Sequence, residues 1–370
     1  MRERGMFIGG GEFHSELKKR VAAQLTPALI RRGRWRASFK GLVLIAWALG
    51  SWAFLVFAAS TWWQALLGGI SLALGTAGVA FSVGHDANHG AFFPSRRWNR
   101  IVGYSFDLIG ASSYVWRTKH NVAHHTFTNV DGADTDIDQM PFARLAPSQP
   151  YKPYHRFQHI YMWLLYGLFT FKFHLGSDVG PVFTGKIGQV ATIAKPTRFE
   201  MIMLVAGKIG FWTWAVIIPL LFQPWWAVGL MFVFVSWVLG IVLAVTFQLA
   251  HAVDETTFTD LVEIREGPSP TWAAHQVEST VDFATRNKFL GWYLGGLNFQ
   301  IEHHLFPKVC HVHYPRILQT VRDTCDEFGV RHVCQPTMRS ALVSHGRWLR
   351  AMGRGEGNVP VGLRPPATPG

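Results

Sequence analysis

The sequence predicts an all-α integral membrane protein: four transmembrane helices, paired as two hairpins, under a cytoplasmic helical cap. Three observations predict it. Two runs of 45 residues, Gly41 to His85 and Ile209 to Val253, contain no Asp, Glu, Lys or Arg. All 35 Lys and Arg residues lie outside those runs, only Lys208 within a proposed span. Histidines gather in short clusters beside the ends of the runs. The composition agrees, since 49% of residues are hydrophobic and 16% charged, against roughly 25% charged in a soluble domain.

Each charge-free run would reach roughly 67 Å as helix. A bilayer core is about 30 Å thick, so each run crosses twice. The spans fall near residues 41–60, 63–83, 201–222 and 226–249, with turns at Ser60–Thr61 and Gln223–Trp225. Trp62, Trp63, Trp225 and Trp226 at the turns suit a lipid interface. Residues 1–40 form a cytoplasmic N-terminal segment, 41–330 the membrane domain with its cap, and 331–370 a tail that is disordered after about 351.

Ten basic residues precede the first run, twelve lie at 96–198 between the runs and twelve follow the second. If both runs are hairpins, all three basic regions face one side, and the positive-inside rule makes that side the cytoplasm. This accounts for the net charge of +12 without nucleic acid. The sequence thus reads as a multi-pass protein, of the bacterial inner membrane, with both termini in the cytoplasm. Lys208 alone falls inside a span, so it either snorkels to the edge or the third span starts later. Cys310, Cys325 and Cys334 contain no C-x-x-C, which argues for free thiols.

The histidine clusters are HDANH at 85–89, HNVAHH at 120–125 and QIEHH at 300–304. On α-helices, His85 and His89, His120 and His124, and Gln300, His303 and His304 each share a face, with His125 turned about 100° from His124. His251 ends the fourth span. One such pair is usually structural. Eight imidazoles on one side of a membrane point to metal, and eight exceed the four to six positions of one ion, so two ions fit. Asp86, Asn88 and Glu302 inside the clusters, and Asp134 and Asp136 just after the second, could hold the imidazoles from behind. His275 in WAAHQVEST is the best further candidate. His155, His159 and His174 belong to a surface-lying amphipathic helix, and His311 and His313 to packing or surface.

In order and spacing around two apolar hairpins, these clusters resemble the three histidine boxes of membrane fatty acid desaturases, over residues 40–330. The third box, with Gln300 in place of a histidine, and its flanks HGAFF, WRTKHN and NFQIEHHLFPKV resemble the front-end and acyl-lipid subgroup. The resemblance implies a non-haem di-iron centre held by His85, His89, His120, His124, His125, His251, His303 and His304. Gln300 would be a weak ligand or a hydrogen-bonding neighbour. It implies molecular oxygen as co-substrate, a fatty acyl-CoA or acyl-lipid substrate, and insertion of a cis double bond. No HPGG haem-domain motif is present, so electrons come from a separate donor, a ferredoxin or similar reductase system.

Cleaving an unactivated C–H bond requires an oxidant that no side chain supplies, so the metals carry the chemistry. A hydroxylase or ketolase of the same superfamily shares these parts and differs in its product. A membrane zinc hydrolase, with metal-bound hydroxide as nucleophile, is a more distant alternative. A haem-carrying electron-transfer bundle needs mid-membrane histidines, and the spans have none.

Overall fold

The computed structural model describes residue 7 and residues 11–266 and 271–356. The described chain is mostly helical. Four helices are long and apolar enough to cross a membrane: Pro27–Phe57, Trp62–His89, Arg198–Leu220 and Trp225–His251. At 1.5 Å per residue even the third, with 23 residues, exceeds a hydrocarbon core of about 30 Å.

The first long helix begins well before the expected residue 41. Thr26 caps it, accepting from Leu29 N, and Pro27 takes the first helical position, where its missing N–H costs nothing. The arginine-rich stretch 31–40 therefore stays helical, since Arg and Lys are good helix formers and the stretch contains no Pro. The turn falls where expected. The helix ends at Phe57, and Gln64 Oε1 accepts from Ser60 N (2.9 Å) and Thr61 N (3.1 Å) to start the next. The first two helices pack closely, for a Cβ on Gly75 would lie 3.0 Å from Ala48 Cα. Small residues allow such approach where no hydrophobic drive exists.

The second helix continues through HDANH to His89, with a π-turn at Ala80–Gly84. The third starts slightly earlier than expected, at Arg198, so a later start does not account for Lys208. Lys208 is paired within the protein. Its ammonium lies 2.8 Å from Asp178 Oδ1 and donates to the Gly110 (2.7 Å) and Phe173 (2.6 Å) carbonyls. The fourth long helix packs on the second and carries His251 as its last residue.

A broken helix, Gln158–Leu165 then Phe169–His174, packs on the fourth long helix. It exposes Ile160, Leu164 and Leu168, as an amphipathic surface segment should. His155 and His174, however, are buried. Packing against the fourth helix turns His174 inward, where it stacks on Phe211. In the N-terminal segment the helix Gly11–Gln24 buries Phe13, Leu17 and Val21 against Ile317 and Val321 of the helix Tyr314–Glu327. The expected tail holds another helix, Met338–Gly353, with Trp348 and Leu349 buried. It passes residue 351 because that apolar face is covered, and the expected disorder beyond 356 lies outside the described residues. All three cysteines are free.

Two-residue strand pairings tie distant loops together. Val130–Asp131 pairs in parallel with Thr259–Asp260, and Asp282–Phe283 with Cys334–Gln335. The second pairing fixes the segment just before the third histidine cluster.

Candidate metal centre

Backbone geometry decides where the rings go. The second cluster does not lie on a regular α-helix. Lys119–His124 is a π-turn, and His125 N donates to His120 O (3.0 Å), five residues back. The wider turn brings residues i and i+5 onto one face. His125 therefore does not point away, as an α-helix would require, and its Nε2 lies 3.3 Å from His120 Nε2. The first cluster also follows a π-turn, and such turns are common at functional sites.

Candidate ligand atoms fall into overlapping sets whose members lie within 4.8 Å of one another. His85, His89, His120 and His303 make one, and His124, His251 and His304 make another. His125 joins them, since it also groups with His303 and His304. All eight imidazoles are buried. The Nε2 atoms of His85, His89, His124 and His303 and the Nδ1 atoms of His125 and His251 have no hydrogen-bond partner. Buried polar atoms are rarely left so. Burial, then the neighbouring rings, hold His120, His125, His303 and His304 well below the ordinary histidine range. Neutral rings with inward lone pairs fit two cations, and no thiolate intrudes on either set.

Gln300 belongs to the second set. Its Nε2 lies 2.8 Å from His251 Nε2 and 3.5 Å from His304 Nε2, and its Oε1 has no partner. The two amide atoms exchange by a half-turn of the side-chain end, which would offer the carbonyl oxygen to the same space.

The expected supporting residues divide. Asp134 Oδ2 accepts from His124 Nδ1 (3.0 Å) and from Asn129 N (3.0 Å). Burial would depress His124, but Asp134 outweighs it and raises its pKa. Asp136 lies 3.7 Å from His124 and pairs with Lys119 (2.8 Å). Asp86 lies 3.9 Å from His85 Nδ1 and bonds to His311 Nδ1 (2.7 Å) instead. Asn88 touches no ring. It donates to the Gly84 and Gly103 carbonyls, because its side chain points back along its own helix. Glu302 also turns away, towards His332 (3.8 Å). His275 stands outside both sets, with Nε2 on Thr128 O (2.9 Å). His311 is no surface residue, since it lies buried between Asp86 and Lys40.

The family model for fatty acid desaturase matches residues 60–336. The chain belongs to the fatty acid desaturase family. The match spans all eight histidines and Gln300. The sn-1 linoleoyl-lipid 6-desaturase of Arthrospira platensis is 36% identical over 344 residues, 92% of this chain and 92% of that protein. The protein of the same name from Synechocystis sp. is 35% identical over 356 residues, 95% of this chain and 98% of that one. An acyl-lipid (8-3)-desaturase of Physcomitrium patens is 38% identical over 320 residues, 85% of this chain and 66% of that one. This desaturase is an oxidoreductase.

Several residues of the desaturase site carry no sequence signal. Tyr314 Oη lies 3.2 Å from His303 Nδ1, and Gln276 Oε1 lies 2.8 Å from His304 Nδ1. Trp116 stacks on His120 at 4.3 Å. Asn129, at positive φ, donates to the carbonyls of His251 (2.9 Å) and Ser279 (3.1 Å). Its partners are over a hundred residues away, so spacing could not reveal it.

Proposed function

We propose that this desaturase introduces a cis double bond into a lipid-esterified acyl chain, in the front-end manner, using molecular oxygen and two iron ions. The observation that carries the reading is the pair of buried imidazole sets with inward, unpartnered nitrogens, with an amide at the third-box position. The relatives' names supply the substrate class.

His85, His89, His120 and His303 would hold one ion, and His124, His251 and His304 the other, with His125 between and Gln300 beside the second. When bound, the iron pair supplies the oxidising power, drawn from oxygen, that removes two hydrogens from neighbouring carbons. The protein's part is to orient and insulate. Asp134, Gln276 and Tyr314 hold imidazoles from behind, fixing which ring nitrogen faces inward. A cleft of about 610 Å³ reaches His120 and Trp116, walled by Leu165, Phe169, Phe171 and Phe247. Its apolar wall suits an acyl chain. Lys119, Lys172 and Gln139 offer polar contacts for the ester end.

On this reading the four long helices, the first starting at Pro27, make two membrane hairpins. The distribution of basic residues supports a cytoplasmic placement of the boxes and both chain ends at a bacterial inner membrane, with electrons from a separate donor. Expression in a host without polyunsaturated lipids, with fatty acids profiled by mass spectrometry, tests the reading. Loss of two hydrogens, absent in a His124→Ala control, supports it. Gain of one oxygen, or a new double bond that persists in the control, overturns it.

A further inference from the structure

A second cleft approaches the metal centre from another direction. It has a volume of about 630 Å³ and is lined by Arg96, Arg100, Arg117, Lys308, Glu200 and His89 among others. It shares no lining residue with the apolar cleft. The chain from Trp116 to His120 separates them, since Arg117 faces one cleft and Trp116, Lys119 and His120 the other. Of the eight box imidazoles, His89 keeps the most exposure, 7%, against 0% for His303 and His304. Through His89 this cleft borders the first imidazole set, as the apolar cleft does through His120.

The charge in this cleft is one-sided. Glu200, its one carboxylate, is engaged by Arg100 and by Thr197 N at the start of the third long helix. Arg117 lies in the field of Glu200 and Asp107, whereas Arg96 and Lys308 are in none of the ion pairs found among the described residues. Arg96 and Lys308 are exposed, and Arg117 donates to Asn88 Oδ1 (3.3 Å), next to His89. Two exposed, unpaired cations at the rim, with Arg100 and Arg117 behind them, attract and orient an acidic partner.

Desaturation requires such a partner. The balance is R–CH2–CH2–R′ + O2 + 2 e⁻ + 2 H⁺ → R–CH=CH–R′ + 2 H2O. The substrate gives up two electrons and two protons, solvent supplies two protons, and a reductant supplies the other two electrons. An acyl chain held in the apolar cleft leaves the cationic one free.

We propose that a small acidic one-electron carrier protein docks over Arg96, Arg117 and Lys308 and passes its electrons inward at His89. The proposal rests on the desaturase reading for its need of electrons, but docking itself can be measured without turnover. A plant-type [2Fe–2S] ferredoxin of negative net charge is titrated onto the iron-loaded full-length protein in neutral detergent. The Arg96→Glu/Lys308→Glu variant is expected to bind it at least about tenfold more weakly at low salt, with the difference shrinking as salt screens the charges. The same reversal at Arg347, exposed on the C-terminal helix, is expected to leave binding unchanged. Iron content and melting temperature verify folding, and Arg96→Gln/Lys308→Gln replaces the double reversal if either falls. Unchanged ferredoxin binding in the double variant overturns the proposal. So does equal weakening by Arg347→Glu, or a defect that appears only in binding vesicles of anionic lipid. Charge-dependent docking without any alkene product would sink the desaturase reading and leave the docking site standing.

Discussion

Replacing Asp134 by Asn separates the charge behind His124 from its shape. The carboxylate is fully buried and accepts three hydrogen bonds: His124 Nδ1 (3.0 Å) and Asn129 N (3.0 Å) at Oδ2, and Asp136 N (2.9 Å) at Oδ1. An amide has one acceptor oxygen, so whichever way it turns, one of these N–H groups faces a donor. A hydrogen bond to a charged acceptor contributes about 1.5–3 kcal/mol, against about 0.5–1.5 kcal/mol for a neutral one. The loss at His124 is therefore about 1–1.5 kcal/mol, or about tenfold in metal affinity, at the lower end of the range for residues behind a ligand. Competition with a calibrated chelator, monitored by iron release, reads that tenfold directly. The pH dependence supplies a second signature. Metal must displace a proton from His124. Asp134 raises that pKa, so the variant's uptake midpoint moves to lower pH even as its plateau affinity falls. Unchanged affinity with an unchanged midpoint would refute the role given to Asp134.

Further outcomes follow from the same geometry. His332 Nε2 lies 3.4 Å from Asp282 and 3.8 Å from Glu302, and although burial depresses it, the two carboxylates hold it up at about 9. Against an unfolded value of about 6.5, its stabilisation is full below about 6.5 and disappears as pH rises through 9. His332→Ala should cost about 3 kcal/mol at pH 6 and flatten the melting temperature between pH 6.5 and 9, as differential scanning fluorimetry in detergent would show. Lys208→Met strands Asp178 and should lower stability by about 3 kcal/mol or more. Adding Asp178→Leu should restore most of it, and a double variant no better than the single would refute the pairing. Leu165→Trp fills the apolar cleft, and should cut turnover of an 18-carbon chain while iron content stays at the wild-type value.

Much of this was legible in the sequence, for identifiable reasons. Gly41 to His85 and Ile209 to Val253 announce membrane helices because removing charge from so many consecutive residues has few other uses. The histidine boxes announce metal because imidazoles that dense are hard to bury for any other purpose. The termini of the helices were less legible, as at Pro27, because a basic stretch can be helix or loop with equal ease. The π-turn at Lys119–His124 was invisible, since it depends on one backbone bond skipping a residue. It is what moves His125 from outside the cluster into it. Pairings such as Lys208 with Asp178, His311 with Asp86 and Tyr314 with His303 join different elements, and local spacing carries no trace of them. Asn88 and Glu302 show the converse: lying inside a box does not place a side chain behind a box imidazole.

The central claim is that imidazoles from three distant stretches and His251 close around two iron atoms. Metal analysis of the purified, reconstituted protein tests it most directly. The account predicts two iron atoms per chain, falling towards one in His251→Ala, which removes a ligand from the second set alone. A wild-type protein that saturates at a single metal ion per chain would contradict it.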